Sequence, residues 1–294
     1  MTKFVTALMA VCFGAAAQQA PSVPDAEERT RSLWNEKFLE KRPAAKKASS
    51  PATASAAKPG PAAKPSPQEV PDEIGDALVG ITVWRLRESR AGDDKEIRIS
   101  ARDGGEEFTP ERIEADTLLA EGQRVRVSIE TARTGYLYVI DREQYSDGTF
   151  GAPYLIFPTL RTQGGKNDVM AGRLVEIPDN PPYFTMRMSR PDQTAEMLTV
   201  LVTPKPLPDV KIRRDALKLT QEQVYGWEKQ WGAKVKRLEA RGQAGQTYTR
   251  AEKQAGMERT RLLTHEEPVP QTMYHCETKP GEPLLVSVPL RIKR

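Results

Sequence analysis

"RVRVSIETARTGYLYVIDREQYSDGTFGAPYLIFP", Arg124 to Pro158, carries the two signatures that decide the fold. In its first part Val125, Val127 and Ile129 alternate with Arg124, Arg126, Ser128 and Glu130. Successive side chains of a strand point to opposite faces, so this alternation predicts a strand with aliphatic residues in a core and charges in water. "YLYVID" and "YLIFP" are continuously apolar instead, as strands covered on both faces are. Ser146-Asp147-Gly148 stands between them as a turn, because Gly accepts left-handed backbone and Asp bonds its own chain.

The same reading extends in both directions. "VGITVWRLR", "RLVEIP", "YFTMRM" and "MLTVLVT" are short runs rich in β-branched and aromatic residues, separated by turn clusters such as Gly164-Gly165-Lys166-Asn167-Asp168 and Asp179-Asn180-Pro181-Pro182. About seven strands without helical crossovers predict a mainly β fold, an antiparallel β-sandwich of the immunoglobulin-like kind over residues 76–208. After Pro208 the period changes. Val224, Trp227, Trp231, Val235 and Leu238 form one helical stripe, with Thr220 and Gln223 as a capping signature and Gly242 as the stop. Thr249 with Glu252 announces a second, weaker helix reaching about Leu263. "PLLVSVPLRIKR" closes the chain as an edge strand, since Pro289 cannot donate to a ladder. Residues 209–294 therefore read as a helical extension plus a closing β-strand that returns to the sheet.

Toward the N-terminus, residues 1–20 have one lysine, a short apolar run and small residues, the layout of a secretory signal peptide cleaved near Ala17 or Ala20. The apolar run is far below the roughly 20 residues that span a bilayer, and no later segment is longer, so no transmembrane span is expected in the mature chain. Residues 21–42 read as a short amphipathic helix carrying Trp34 and Phe38 on one face, either docked on the main domain or free for a partner or a membrane surface. Residues 43–75 are Ala, Pro, Lys and Ser with almost nothing to bury, a disordered linker.

The net charge is +4 with both signs interspersed, which argues against nucleic acid as a partner. Of two cysteines, Cys12 falls in the leader, leaving Cys276 without an internal disulfide partner. Only His265 and His275 are present, no nucleophile elbow precedes a helix, and no zinc or phosphate-loop spacing occurs. No catalytic residue, metal site or cofactor is therefore assigned. Asp141, Glu143 and Asp147 follow the order D-x-E-x-x-x-D-G, which is not that of a calcium loop. Together with Tyr145 and Tyr154 they are the candidate partner-binding residues, set against a reading in which the acids merely flank a turn and alternate aromatics fill the core.

"GITVWRLR", "TPERIEADTLLAEGQRVRVSIET", "GYLYVIDREQYSDGTFGAPYLIFPTLRTQGG", "AGRLVEIP" and "PPYFTMRMSRPDQTAEMLTVLVT" together resemble the bacterial domain-of-unknown-function family 4384, over about residues 78–208. The resemblance implies a β-rich module of unassigned activity, found alone behind a signal or beside kinase-like and peptidase-like domains, and it carries over no catalytic residues. The sequence thus points to an exported, non-enzymatic module of the cell envelope, periplasmic or extracellular, that binds an envelope protein or glycan through the hairpin Asp141 to Pro153. The rival expectations are a hydrolase acting on envelope glycans with a carboxylate pair, and a purely structural envelope protein.

Overall fold

A computed structural model describes residues 25–45, 77–101, 105–279 and 281–293. The leader at 1–20 with its cleavage positions Ala17 and Ala20, and the linker from residue 46 to 75, lie outside the described residues. In chain order the elements are α1 (Ala26–Lys41), β1 (Leu78–Glu88), β2 (Ile99–Ser100), β3 (Glu107–Ile113), β4 (Arg124–Thr131), β5 (Gly135–Tyr145), β6 (Tyr154–Phe157), β7 (Asp168–Val169), β8 (Val175–Ile177), β9 (Phe184–Thr185), β10 (Gln193–Thr203), β11 (Leu217–Lys218), α2 (Gln221–Trp231), β12 (Val235–Glu239), α3 (Arg250–Met257), β13 (Thr272–Cys276) and β14 (Leu284–Arg291).

The strands form two antiparallel sheets, so the protein is mainly β as its sequence implies, and the arrangement is compatible with an immunoglobulin-like sandwich. In the first sheet β4 runs along one edge of β1, while β13 and then β3 share the other; β8 and β9 add to the far edge of β4, β12 flanks β13 and β2 flanks β3. In the second the order is β11-β6-β5-β10-β14, with β7 on the start of β5. Val79, Ile81, Val83, Val125, Val127 and Ile129 of the first sheet meet Leu137, Val139, Leu198, Val200, Val202, Val286 and Val288 of the second in one core. The closing strand takes the expected edge position, and Leu284, Val286, Val288 and Leu290 point inward.

Three expectations are corrected. The polar face of β4 is not in water: Arg126, Ser128 and Glu130 are all buried. Helix α3 and the segments near it cover that face, and each of the three side chains there has a polar partner. Arg126 pairs with Glu176 at 2.5 Å, Ser128 accepts from Trp84 Nε1 at 2.7 Å, and Glu130 takes two hydrogen bonds of 2.8 Å from Arg42. The helical stripe through Leu238 is divided, because α2 stops at Gly232, whose N–H bonds Glu228 O at 2.8 Å. Val235 to Glu239 instead pair residue for residue with Cys276 to Thr272, which satisfies their backbone in a ladder and sends Leu238 into a cluster with α1. The second helix does start on the Thr249–Glu252 capping box but ends at Met257, short of Leu263.

Helix α1 docks. Asp25 caps its first turn through Glu28 N at 2.7 Å, and Trp34 and Phe38 are buried with Leu78, Ala132, Leu238 and Met273. Gly80 makes the approach possible, since a Cβ there would stand 2.1 Å from Pro270 Cγ and 3.0 Å from Phe38 Cζ. Helix α2 covers the outer face of the second sheet: Val224 is buried with Tyr138, Ile140, Leu201 and Leu285, and Trp227 and Trp231 pack against them. No helix among the described residues is long and apolar enough to cross a membrane.

Candidate functional site

Strand β5 sends Leu137 and Val139 into the core, and by alternation Asp141, Glu143 and Tyr145 continue along the same face. On β10, which pairs with β5, the corresponding inward series is Val202, Val200, Leu198 and then Glu196. The register sets Leu198 opposite Asp141 and Glu196 opposite Glu143. An aliphatic ladder thus turns acidic at one end of the sandwich, with two carboxylates directly across from each other, a pairing that repels.

A bulge completes the arrangement. Tyr145 pairs with Gln193 but Gln144 with Ala195, so Thr194 is an extra residue on β10. Residues three apart on a regular strand point to opposite faces; the extra residue lets Gln193 and Glu196 share one. The Gln193 amide is oriented by its own oxygen, which accepts from Ser189 N at 2.7 Å, and its Nε2 then donates to Glu196 Oε1 at 2.8 Å.

Between the sheets at this end lies a cavity of about 180 Å³. Asp141, Glu196, Leu198 and Leu290 line it from the second sheet, and Phe184, Thr185 and Met186 from β9 and the residue after it. Asp141 Oδ1 is shielded from solvent and accepts no hydrogen bond. Burial, reinforced by Glu143, pushes the Asp141 carboxyl up to about 7. The Glu196 carboxyl is pushed up to about 8, again by burial first, then by the charge of Asp141. Elsewhere the deeply buried acids have arginine partners: Glu130 with Arg42, Glu252 with Arg112 and Glu176 with Arg126. Asp141, Glu143 and Glu196 have none among the described residues. Three carboxylates are gathered here with no cationic partner among the described residues.

The five candidate residues from the sequence divide. Asp141, Glu143 and Tyr145 come together on one strand face, with Tyr145 Oη donating to Glu143 Oε2 at 2.7 Å; that bond holds the phenol proton and raises its pKa. Gly151 lies against this pair, where a Cβ would fall 2.3 Å from Glu143 Oε2. Asp147 stands apart at the tip of the hairpin. Its Oδ1 accepts from Thr149 N at 2.9 Å and Oγ1 at 2.6 Å, which lowers its pKa, and Gly148 takes φ +83° as the turn requires. Tyr154 sits opposite Asp141 on β6 and is 41 % exposed. Of the other aromatics in this stretch, Tyr138 and Phe157 are core.

Glu196, Gln193 and the β9 wall were not singled out in the sequence. A signal for Glu196 exists: it continues the inward series Val202, Val200, Leu198 as the one acid in an aliphatic row. Nothing in the sequence marks the bulge that brings Gln193 to it. Cys276 is buried and burial pushes its thiol up to about 11, so it is held as the neutral thiol rather than the nucleophilic thiolate. Among the described residues no group of three or more His, Cys, Asp or Glu side chains is arranged to hold a metal ion.

Chemically, the mouth can keep protons on its acids or accept a cation with several donors. Phe184, Met186, Leu198 and Leu290 suit an apolar stem that ends in such a cation. Comparison with family models, with curated proteins and with solved structures returned no match for this chain.

Proposed function

We propose that the chain is an exported, non-enzymatic module of the bacterial cell envelope, periplasmic or extracellular, that holds a basic side chain of an envelope protein in its acid-lined mouth. Membership of residues 78–208 in domain-of-unknown-function family 4384 is part of the same proposal. One observation carries it: Asp141 and Glu196 line a cavity without a cationic partner among the described residues, and Asp141 Oδ1 is an unfilled acceptor. A lysine or arginine brings both the charge and the donors, and its methylenes fit the apolar walls. Size favours the same occupant. About 180 Å³ is below the roughly 300–1,000 Å³ of most small-molecule sites and suits one side chain. A glycan hydroxyl offers a donor but no charge, so it relieves less of the repulsion.

Binding is coupled to proton release. At low pH the acids are neutral and attract a cation weakly; as pH rises through about 7 and 8 they ionise and bind it better. Isothermal titration of the full chain with N-acetyl-arginine amide and N-acetyl-lysine amide tests the reading. Saturable binding that strengthens from pH 6 to pH 8.5, and that Asp141→Asn with Glu196→Gln abolishes, is the expected result. Its absence at pH 8.5 favours the purely structural alternative. Turnover of envelope glycans by the wild type, lost in that double variant, replaces binding with the hydrolase.

A further inference from the structure

A second cavity, of about 300 Å³, opens on the outer face of β4 and β8 beside α3, lined by none of the residues of the acidic mouth. Three cations from three separate places in the chain meet in its lining: Arg98 just before β2, Arg126 of β4 and Lys253 of α3. Arg98 and Arg126 each have a carboxylate partner but keep a buried Nε–H without an acceptor, and Lys253 is in salt-bridge contact with no carboxylate among the described residues. Lys253 Nζ donates to the carbonyl of Arg98 at 2.6 Å, meeting a carbonyl rather than a carboxylate. Arg98 pairs with Glu107, outside the lining, at 2.6 Å. Arg126 pairs with Glu176 and donates to Pro182 O at 3.3 Å, yet its Nε has no acceptor although the residue is only 7 % exposed; Arg98 Nε is likewise unpartnered.

The lining also holds two acids, Asp179, which is exposed, and Glu176, which is buried and heavily subscribed. Glu176 accepts from Tyr248 and Ser128 as well as Arg126, and burial pushes its carboxyl up to about 7 despite that arginine. Lys253 shows the converse, its ammonium pushed down by burial against the charge of Glu176, with Arg126 acting in the same direction as burial. In the wall, the Tyr248 ring meets Trp84 edge-on with ring centroids 4.1 Å apart. Gly256 lets α3 close on Glu176, since a Cβ there would stand 2.2 Å from the carboxyl carbon. Two unfilled buried guanidinium Nε–H donors, a lysine in salt-bridge contact with no carboxylate among the described residues, and a cavity at the lower bound of small-molecule sites are what an anionic group satisfies.

We propose that this cavity binds a small oxyanion, a phosphate or carboxylate group, between Arg126, Arg98 and Lys253, with a modest swing of the Arg126 guanidinium giving its Nε–H an acceptor.

The test is isothermal titration of the full chain with inorganic phosphate and, separately, with acetate at matched ionic strength, on wild type, Lys253→Gln and Lys253→Arg. Saturable binding of at least one anion is expected, weakened about tenfold or more by Lys253→Gln and largely kept by Lys253→Arg. Phosphate preference assigns a phosphoryl ligand, and acetate preference a carboxylate. In parallel, the ¹⁵Nε–H resonance of Arg126 in the wild type must move on adding the bound anion, a readout independent of any variant. Absence of saturable binding by both anions, equal binding by Lys253→Gln, or an unmoved Arg126 resonance overturns the proposal. Asp141→Asn must leave this binding unchanged, which separates its failure from failure of the acidic mouth.

Discussion

Asp141 and Glu196 set the behaviour of the site because burial disfavours their charged forms. Both hold protons in the folded chain that the unfolded chain has released, so folding stability is greatest below about pH 4 for these groups and falls as pH rises through about 7 and 8. Asp141→Asn and Glu196→Gln remove that penalty. Each is expected to stabilise the protein at pH 8, on the order of 1–2 kcal/mol, with little effect at pH 4. Urea denaturation at the two pH values checks this, and a loss of stability at pH 8 goes against it. At this scale the sequence was half legible. Asp141 and Glu143 were singled out as candidates beside a turn, but that β5 carries both on one face shows only in the structure; Glu196 reaches them through sheet register, and a one-residue bulge aims Gln193 at it. Pairwise register between segments some 50 positions apart leaves no mark in either segment alone.

Among the elements, α1 is held by its cap as much as by its aromatics. Arg42 reaches into the first sheet, where both its side chain and that of Glu130 are almost wholly buried, and also donates to the carbonyls of Thr264, Glu267 and Pro268. Removing one partner of such a pair leaves a buried charge unanswered. Arg42→Ala is therefore expected to cost roughly 3–5 kcal/mol and to free α1, read as loss of amide protection over residues 26–41 by hydrogen exchange. Unchanged protection in that helix contradicts the clasp. For α3, Thr249→Ala removes the reciprocal cap with Glu252, at an expected cost of about 1 kcal/mol in thermal unfolding. The capping signatures of α2 at Thr220 and of α3 at Thr249 were legible in the sequence because they are local, whereas the Arg42 clasp of α1 was not. The end of α2 was not: Trp231 and Leu238 keep helical spacing, but the second half of that stripe has an open strand edge to pair with, and a ladder outweighs a weak helix with Gly232 in it.

The whole molecule is two sheets completed by the end of the chain. Strand β14 pairs with β10 from Leu284 to Arg291 and fills the core with Leu284, Val286, Val288 and Leu290, while β13 completes the edge of β1. Residues 77–208 alone lack both and are expected not to fold, giving a collapsed proton spectrum where the full chain gives dispersed signals; a dispersed spectrum from the fragment contradicts this. Class and layering were legible because strand alternation and turn residues are written locally, yet which strands share a sheet emerges only when the chain closes. The acidic mouth is a product of that closure, since its walls come from both sheets. Under the proposed function its carboxyls hold their protons up to about pH 7 and 8 and release them when a cation binds. The direct measurement is carboxyl ¹³C titration of Asp141 and Glu196 by nuclear magnetic resonance, free and with N-acetyl-arginine amide. The expected result is midpoints near about 7 and 8 in the free chain that fall on adding the cation. Midpoints near the ordinary carboxylate value of about 4, or midpoints the cation does not move, contradict it.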